Sequence, residues 1–214
     1  LLAAGCSPPG PRAFLDGAKG KTERVGPYVR NRLVFPSSPQ ANLKLLREWK
    51  RVFHGDCVDF DYHLWGDWRN DPGQLQLGRV LHRDVCNLER LGMQGFISCQ
   101  NQRPFFPTGI WMELMGRGLW NPEMPFDDIV DRYLADLFGA GSDKVRSYLQ
   151  TIGLLFDPSF LRGEKKGAAA RRNELARLAK VPKAVAWFRP FMRAGRRSRD
   201  PVTREAWQLM DEHA

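Results

Sequence analysis

The chain has 214 residues, an ordinary apolar content of 43% and a formal net charge of +9. That length suffices for one good core, or for one and a half domains. No run approaches the ~18 to 20 consecutive apolar residues of a membrane-spanning helix, so none is expected.

The first six residues, Leu1-Leu-Ala-Ala-Gly-Cys6, resemble the end of a bacterial lipoprotein signal, in which the Cys carries the lipid. No charged start or apolar core precedes them, so they read instead as the interior of a longer chain, with the lipoprotein or secreted reading as the alternative. Cys6, Cys57, Cys86 and Cys99 form no CxxC pair and have no His at metal-finger spacing. Neither a metal nor a disulfide framework is expected, and a reducing, cytoplasmic compartment is favoured. Cys57 and Cys99 lie in or beside apolar runs and read as small buried hydrophobes.

Residues 1 to 39 are rich in Pro and Gly and read as loop, or as a barrel segment without its neighbours. In Asn42-Leu-Lys-Leu-Leu-Arg-Glu-Trp49, the three-residue steps of Leu43, Leu46 and Trp49 predict a helix, ended by His54-Gly55. Cys57 to Trp65 has β character. After the turn residues Asn70-Asp71-Pro72-Gly73, a stripe of Leu77, Val80, Leu81, Val85, Leu88 and Leu91 predicts a helix from about Gln76, stopped at Gly92. Gly95 to Gln100 is a second strand candidate, and a helix is expected over Thr108 to Leu119. Alternating helices and strands favour parallel strands joined by crossover helices.

From Pro125 the pattern is helical. Phe126, Ile129, Val130, Tyr133, Leu134, Leu137 and Phe138 form one stripe, and Val145, Tyr148, Leu149, Ile152 and Leu155 another. Further helices are expected after Glu164, after Pro182 and over Thr203 to Glu212. The expected organisation is a partial barrel domain over 1–120 and a helical region over 121–214.

Alternation along a strand places Asp59, Asp61 and His63 on one face, opposite Val58, Phe60, Tyr62 and Leu64. Carboxylates and an imidazole are costly to bury unpaired, so this face should meet water, a ligand or partner charges. At the C-terminal end of a barrel strand, such a face is where catalytic groups sit. Asp61 is the candidate nucleophile or base, His63 and Asp59 its companions. A structural ion-pair network is the alternative. Trp65 and Asp67 in the next loop, Gln100, Asn101 and Arg103 at the end of the second strand, and then Trp111 and Glu113 suit a sugar: its ring packs on indole while its hydroxyls need donors and acceptors. Asp67 and Glu113 are the candidates for a second carboxyl group opposite Asp61. No GxSxG, HExxH, GxGxxG or phosphate-binding Gly loop is present, and no cofactor is implied. His54, His82 and His213 read as ordinary surface or helix residues.

Pro27-Tyr-Val-Arg-Asn-Arg32, Asp56-Cys-Val-Asp-Phe-Asp-Tyr-His-Leu-Trp65, Gly95-Phe-Ile-Ser-Cys-Gln100 and Tyr133-Leu-Ala-Asp-Leu-Phe-Gly139 together resemble a bacterial family of unknown function. That family is related to glycoside-hydrolase barrels of the α-glucuronidase and hexosaminidase type. The resemblance covers roughly residues 25 to 163. It implies the C-terminal part of a (β/α)8 TIM-type barrel, an α/β fold, followed by a helical tail. It also implies a carbohydrate ligand of the uronic acid or N-acetylhexosamine type. Chitinase-type barrels carry Asp-x-Asp-x-Glu on one strand with the Glu as acid. Here His63 stands at that position, which departs from their substrate-assisted pattern. The expected activity is glycoside hydrolysis, and the alternative is a degenerate or purely carbohydrate-binding protein.

The stretch from Leu161 to Ala214 holds fourteen Lys and Arg against six Asp and Glu, a net of +8 that leaves +1 for the first 160 residues. Without a nucleic-acid motif, amphipathic helices with Arg171, Arg172, Arg177, Arg196, Arg197 and Arg199 on the wet face are expected, and no specific nucleic-acid partner; the alternative is a nucleic-acid or anionic-surface binder acting through this basic tail, with any DNA affinity weak and strongly salt-dependent.

Overall fold

The computed structural model describes residues 2, 3, 27, 29 to 32, 38 to 64, 70 to 100 and 105 to 214, with the backbone alone for Leu2, Ala3, Asp61, Tyr62, His63 and Gln100. It begins with a two-residue strand, β1 (Leu2–Ala3), within the region expected to be loop. Helix α1 (Pro39–Val52) follows, with Ser38 as its N-cap: the Ser38 hydroxyl accepts from the Ala41 N–H, and Pro39 opens the first turn. It buries Ala41, Leu43 and Leu46, whereas Trp49 turns out to solvent and stacks on Phe53. Strand β2 (Val58–Leu64), helix α2 (Leu75–Cys86) and strand β3 (Gly95–Gln100) come next. Between α2 and β3, Gly92 turns the chain in the left-handed region at φ 73°, and its carbonyl accepts from the Lys50 ammonium at 2.9 Å, tying the end of α1 to the start of β3.

All three strands are parallel, in the order β1-β2-β3. β2 and β3 pair Asp59 with Phe96, Phe60 with Ile97 and Asp61 with Ser98. The register then shifts, and Leu64 pairs with Gln100. Three residues of β2 are thus spanned by two of β3, a bulge. It moves Leu64 from the face of Val58 and Phe60 to the face that Asp59 shares with Phe96, where Leu64 is 1% exposed and Phe96 leans on the same core. The opposite face stays wet, with Ile97 52% exposed.

Every described element after β3 is helical: α3 (Ile110–Trp120), α4 (Phe126–Phe138), α5 (Ser142–Leu155), α6 (Pro158–Leu161), α7 (Ala168–Leu178), α8 (Val181–Gly195) and α9 (Pro201–His213). One apolar cluster runs from Leu64 through Leu77, Leu81 and Val85 of α2, Leu114 of α3, Ile129 of α4 and Leu149 of α5 to Phe188 of α8 and Trp207 of α9. Tyr148 stacks on Phe188 with ring centroids 4.1 Å apart, and Phe138 meets Trp207 edge to face at 5.1 Å.

The expected (β/α)8 TIM-type barrel is therefore overturned. Among the described residues the sheet has three short strands and does not close, and no strand follows Gln100. The physical reason lies in α2. A barrel helix spends its apolar stripe on the sheet, whereas α2 packs against α3 and α5, so helices supply most of the core. The local alternation of strand and helix is real; its continuation around a barrel is not.

Candidate functional site

Because β2 and β3 are parallel, they end at the same edge of the sheet, and both following loops leave from it. The two loops are joined where they reach their helices. Gln74, at the end of the first loop, has φ 59° and is 1% exposed. Its side-chain amide donates to the Thr108 carbonyl at 3.1 Å, and the Thr108 hydroxyl donates back to Gln74 Oε1 at 2.5 Å. Asp71, fully buried, caps α2 from the same loop: its Oδ2 accepts from the Leu77 N–H at 2.8 Å. Gly73 lies hard against α5, where a Cβ would collide with the Leu149 carbonyl, so only Gly fits there. The second loop reaches Thr108 through a cis peptide between Phe106 and Pro107.

The C-terminal helix closes over this junction. His213 lies 3.4 Å from the Tyr148 hydroxyl through Nδ1, its ring donates to the Pro72 carbonyl, and Phe106 packs on it with centroids 6.1 Å apart. One imidazole thus touches the first loop, the second loop and α5. Burial holds the His213 pKa below its ordinary value, against the raising effect of the Pro72 bond. Burial also pushes the Tyr148 hydroxyl up to about 12, so it remains a neutral donor. Beside the junction, a cleft of about 440 Å³ is lined by Leu75, Gln76, Arg79, Phe126, Arg146 and Gly153 among others. Arg79 lies over the Phe126 ring at 4.0 Å, and both arginines are tied to Asp127, whose carboxyl they hold below its usual range.

The sequence-derived site residues are distributed unevenly over this arrangement. Asp59, Asp61 and His63 are on β2, and Gln100 ends β3 in register with Leu64. Asp59 is half-buried. The bulge falls between Asp61 and Leu64, so the strict alternation that aligned Asp59, Asp61 and His63 is interrupted within the motif itself. Trp65, Asp67, Asn101 and Arg103 lie outside the described residues. Trp111 is 4% exposed, and its indole N–H donates to the Gln74 carbonyl at 2.5 Å, which sets the ring in the helical core. Its hydrophobic ring is worth more inside the helical core than at a rim. Glu113 lies two residues further along the same helix and is paired with Arg117, one turn on, so a helix neighbour engages the carboxylate expected opposite Asp61.

His82, a helix residue of α2, is buried and bonded to the Met124 carbonyl at 3.0 Å, and burial lowers its pKa. Cys57 and Cys99 are half-buried rather than buried. Asp71, Gln74, Thr108 and His213 escape sequence reasoning because their partners are far away in the chain. The Asn70-Asp71-Pro72-Gly73 turn marks a loop, but nothing local says what the loop is bound to. Among the described residues no group of three or more His, Cys, Asp or Glu converges as a metal site, and no helix is long and apolar enough to cross a membrane. No protein-family model, curated protein or solved structure matches the chain.

Proposed function

We propose that the chain binds and cleaves a glycoside of the uronic acid or N-acetylhexosamine type at the edge where β2 and β3 end. The observation that carries this reading is the Gln74–Thr108 junction, which joins the ends of the two loops that leave that edge. Those loops carry Trp65, Asp67, Asn101 and Arg103, the aromatic, acidic, amide and cationic groups that a sugar requires. Asp61 lies on β2 directly before the bulge, a place where strands commonly re-aim side chains beside active sites. In this reading Asp61 is the carboxylate that acts on the substrate, and Asp67 supplies the second carboxyl group. Polar groups from two loops, joined at their helix-side ends, hold the ring in this reading.

A second reading, sugar binding without turnover, is favoured by two observations. The register shift falls within the acidic motif, and Glu113, one candidate catalytic partner, is already engaged by Arg117. A screen of aryl uronides and aryl N-acetylhexosaminides, alongside calorimetry with the free sugars, separates the two. Turnover lost by orders of magnitude in Asp61→Asn, with sugar affinity kept, supports hydrolysis. Affinity without turnover supports the second reading. Neither affinity nor turnover across the screen rejects both.

A further inference from the structure

Between Lys165 and Arg199 the sequence holds twelve Lys and Arg and a single acidic residue, Glu174. Glu174 is fully buried, where it accepts from the Asp157 N–H at 3.0 Å and pairs with Arg177. The exposed charge of this whole stretch is therefore positive. Its longest element, α8, is one-sided. Val185, Phe188 and Met192 are buried, and the helix packs on α5 and α9. At 100° per residue, Lys183 and Arg193 fall on the opposite side and Arg189 at its margin; these three and Arg197, in the turn after the helix, are all exposed. Arg189 and Arg193 are four residues apart, about 6 Å along the axis, and Arg197 follows four residues on, past the helix end at Gly195. Arg196 is neutralised by Asp211, which leaves the outer row to face solvent. α7 also packs on α5 and adds exposed Arg171 and Arg172.

We propose that the outer face of α8 and the turn after it form a surface that grips the phosphodiester backbone of a nucleic acid without reading its bases. Charge complementarity identifies the partner. A row of guanidinium groups suits phosphate oxygens, which accept two parallel N–H bonds from each arginine. A lipid surface fits less well. An interfacial helix buries large apolar side chains in the bilayer, and those of α8 are mostly committed to the core. Its outward positions otherwise hold Pro182, Ala186, Pro190 and Ala194, with Trp187, 46% exposed, at the margin and leaning on Phe191.

The test is fluorescence anisotropy of the full chain with labelled 20-nucleotide single-stranded and duplex DNA and RNA, from 50 to 200 mM salt. Roughly four phosphate contacts give a slope of log K against log salt of about −3 to −4, or about a hundredfold loss of affinity over that range. Arg189→Glu, Arg193→Glu and Arg197→Glu together should weaken binding at least about tenfold and flatten the slope by about 3. Lys44→Glu, Arg47→Glu and Arg51→Glu on α1 alter the net charge equally and should leave most of the affinity. Circular dichroism confirms that both variants are folded. Three results overturn the proposal: no saturable binding at 50 mM salt, equal losses in the two triple variants, or binding to vesicles of phosphatidylcholine and phosphatidylglycerol with none to nucleic acid.

Discussion

Gln74 and Thr108 exchange two hydrogen bonds across 34 residues of sequence: the Gln74 amide donates to the Thr108 carbonyl at 3.1 Å, and the Thr108 hydroxyl donates to Gln74 Oε1 at 2.5 Å. Both residues are almost fully buried. The pair fixes the separation of the chain just ahead of α2 from the chain just ahead of α3.

Thr108→Val keeps the shape of the side chain and removes the hydroxyl donor. It leaves Gln74 Oε1 buried without that partner, at a cost of about 1–3 kcal/mol. Urea denaturation should show this loss. Hydrogen exchange at residues 70 to 74 and 105 to 109 should quicken by more than the global destabilisation explains. A protein with wild-type stability and exchange would show that the pair does not join the loops.

Stability should fall as the pH is lowered below about 6.5. Burial holds the folded-state pKa of both His213 and His82 under the ordinary value, so the unfolded chain takes up protons first. Each histidine then removes up to about 1.4 kcal/mol per pH unit, from the unfolded pKa down to the folded one. Asp127 and Asp157, whose carboxyl groups are held below their usual range, add their losses at lower pH, as it drops through their folded pKa values. The urea midpoint of His213→Gln, followed from pH 7.5 to 5, should decline less steeply than that of the parent. A parallel decline would remove His213 from the account.

Arg171 and Arg177 should behave differently although both were expected at the wet surface. Arg177 pairs with the fully buried Glu174 and with Asp157 at 3.2 Å, which corrects that expectation. Arg177→Ala strands a buried carboxylate. Discounted for the partial exposure of the arginine, the cost is about 1–3 kcal/mol. Arg171→Ala, on an exposed position, should stay within about 0.5 kcal/mol. Thermal melts of the two variants compare them directly.

Trp111→Ala should cost about 3–5 kcal/mol by emptying a core position and removing the indole bond to the Gln74 carbonyl. Trp111→Phe restores most of the packing and loses only the hydrogen bond, so it should recover more than half of that stability. A Trp111→Phe variant that is fully stable but loses sugar affinity would return Trp111 to the ligand.

Sequence by itself determined the local elements and their faces. Periodicity marks the cores of α1, α2, α4 and α5, the turn at Gly92 and the β character of Val58 to Leu64, because each depends on neighbours within about one or two turns of chain. The tertiary structure decided what those elements pack against. The stripe on α2 is equally apolar whether it covers a sheet or another helix, so the residues that suggested a barrel also satisfy a helical core. It also decided the register. Alternation along β2 assumes an unbroken ladder, and the bulge that carries Leu64 into the core arises from pairing with β3, which β2 alone does not specify. Finally, it decided the partners of single polar groups. Asp71, Gln74, Thr108 and His213 become one junction only when residues up to 142 positions apart are brought together, and hydrogen bonds at that range leave no periodic trace in a sequence.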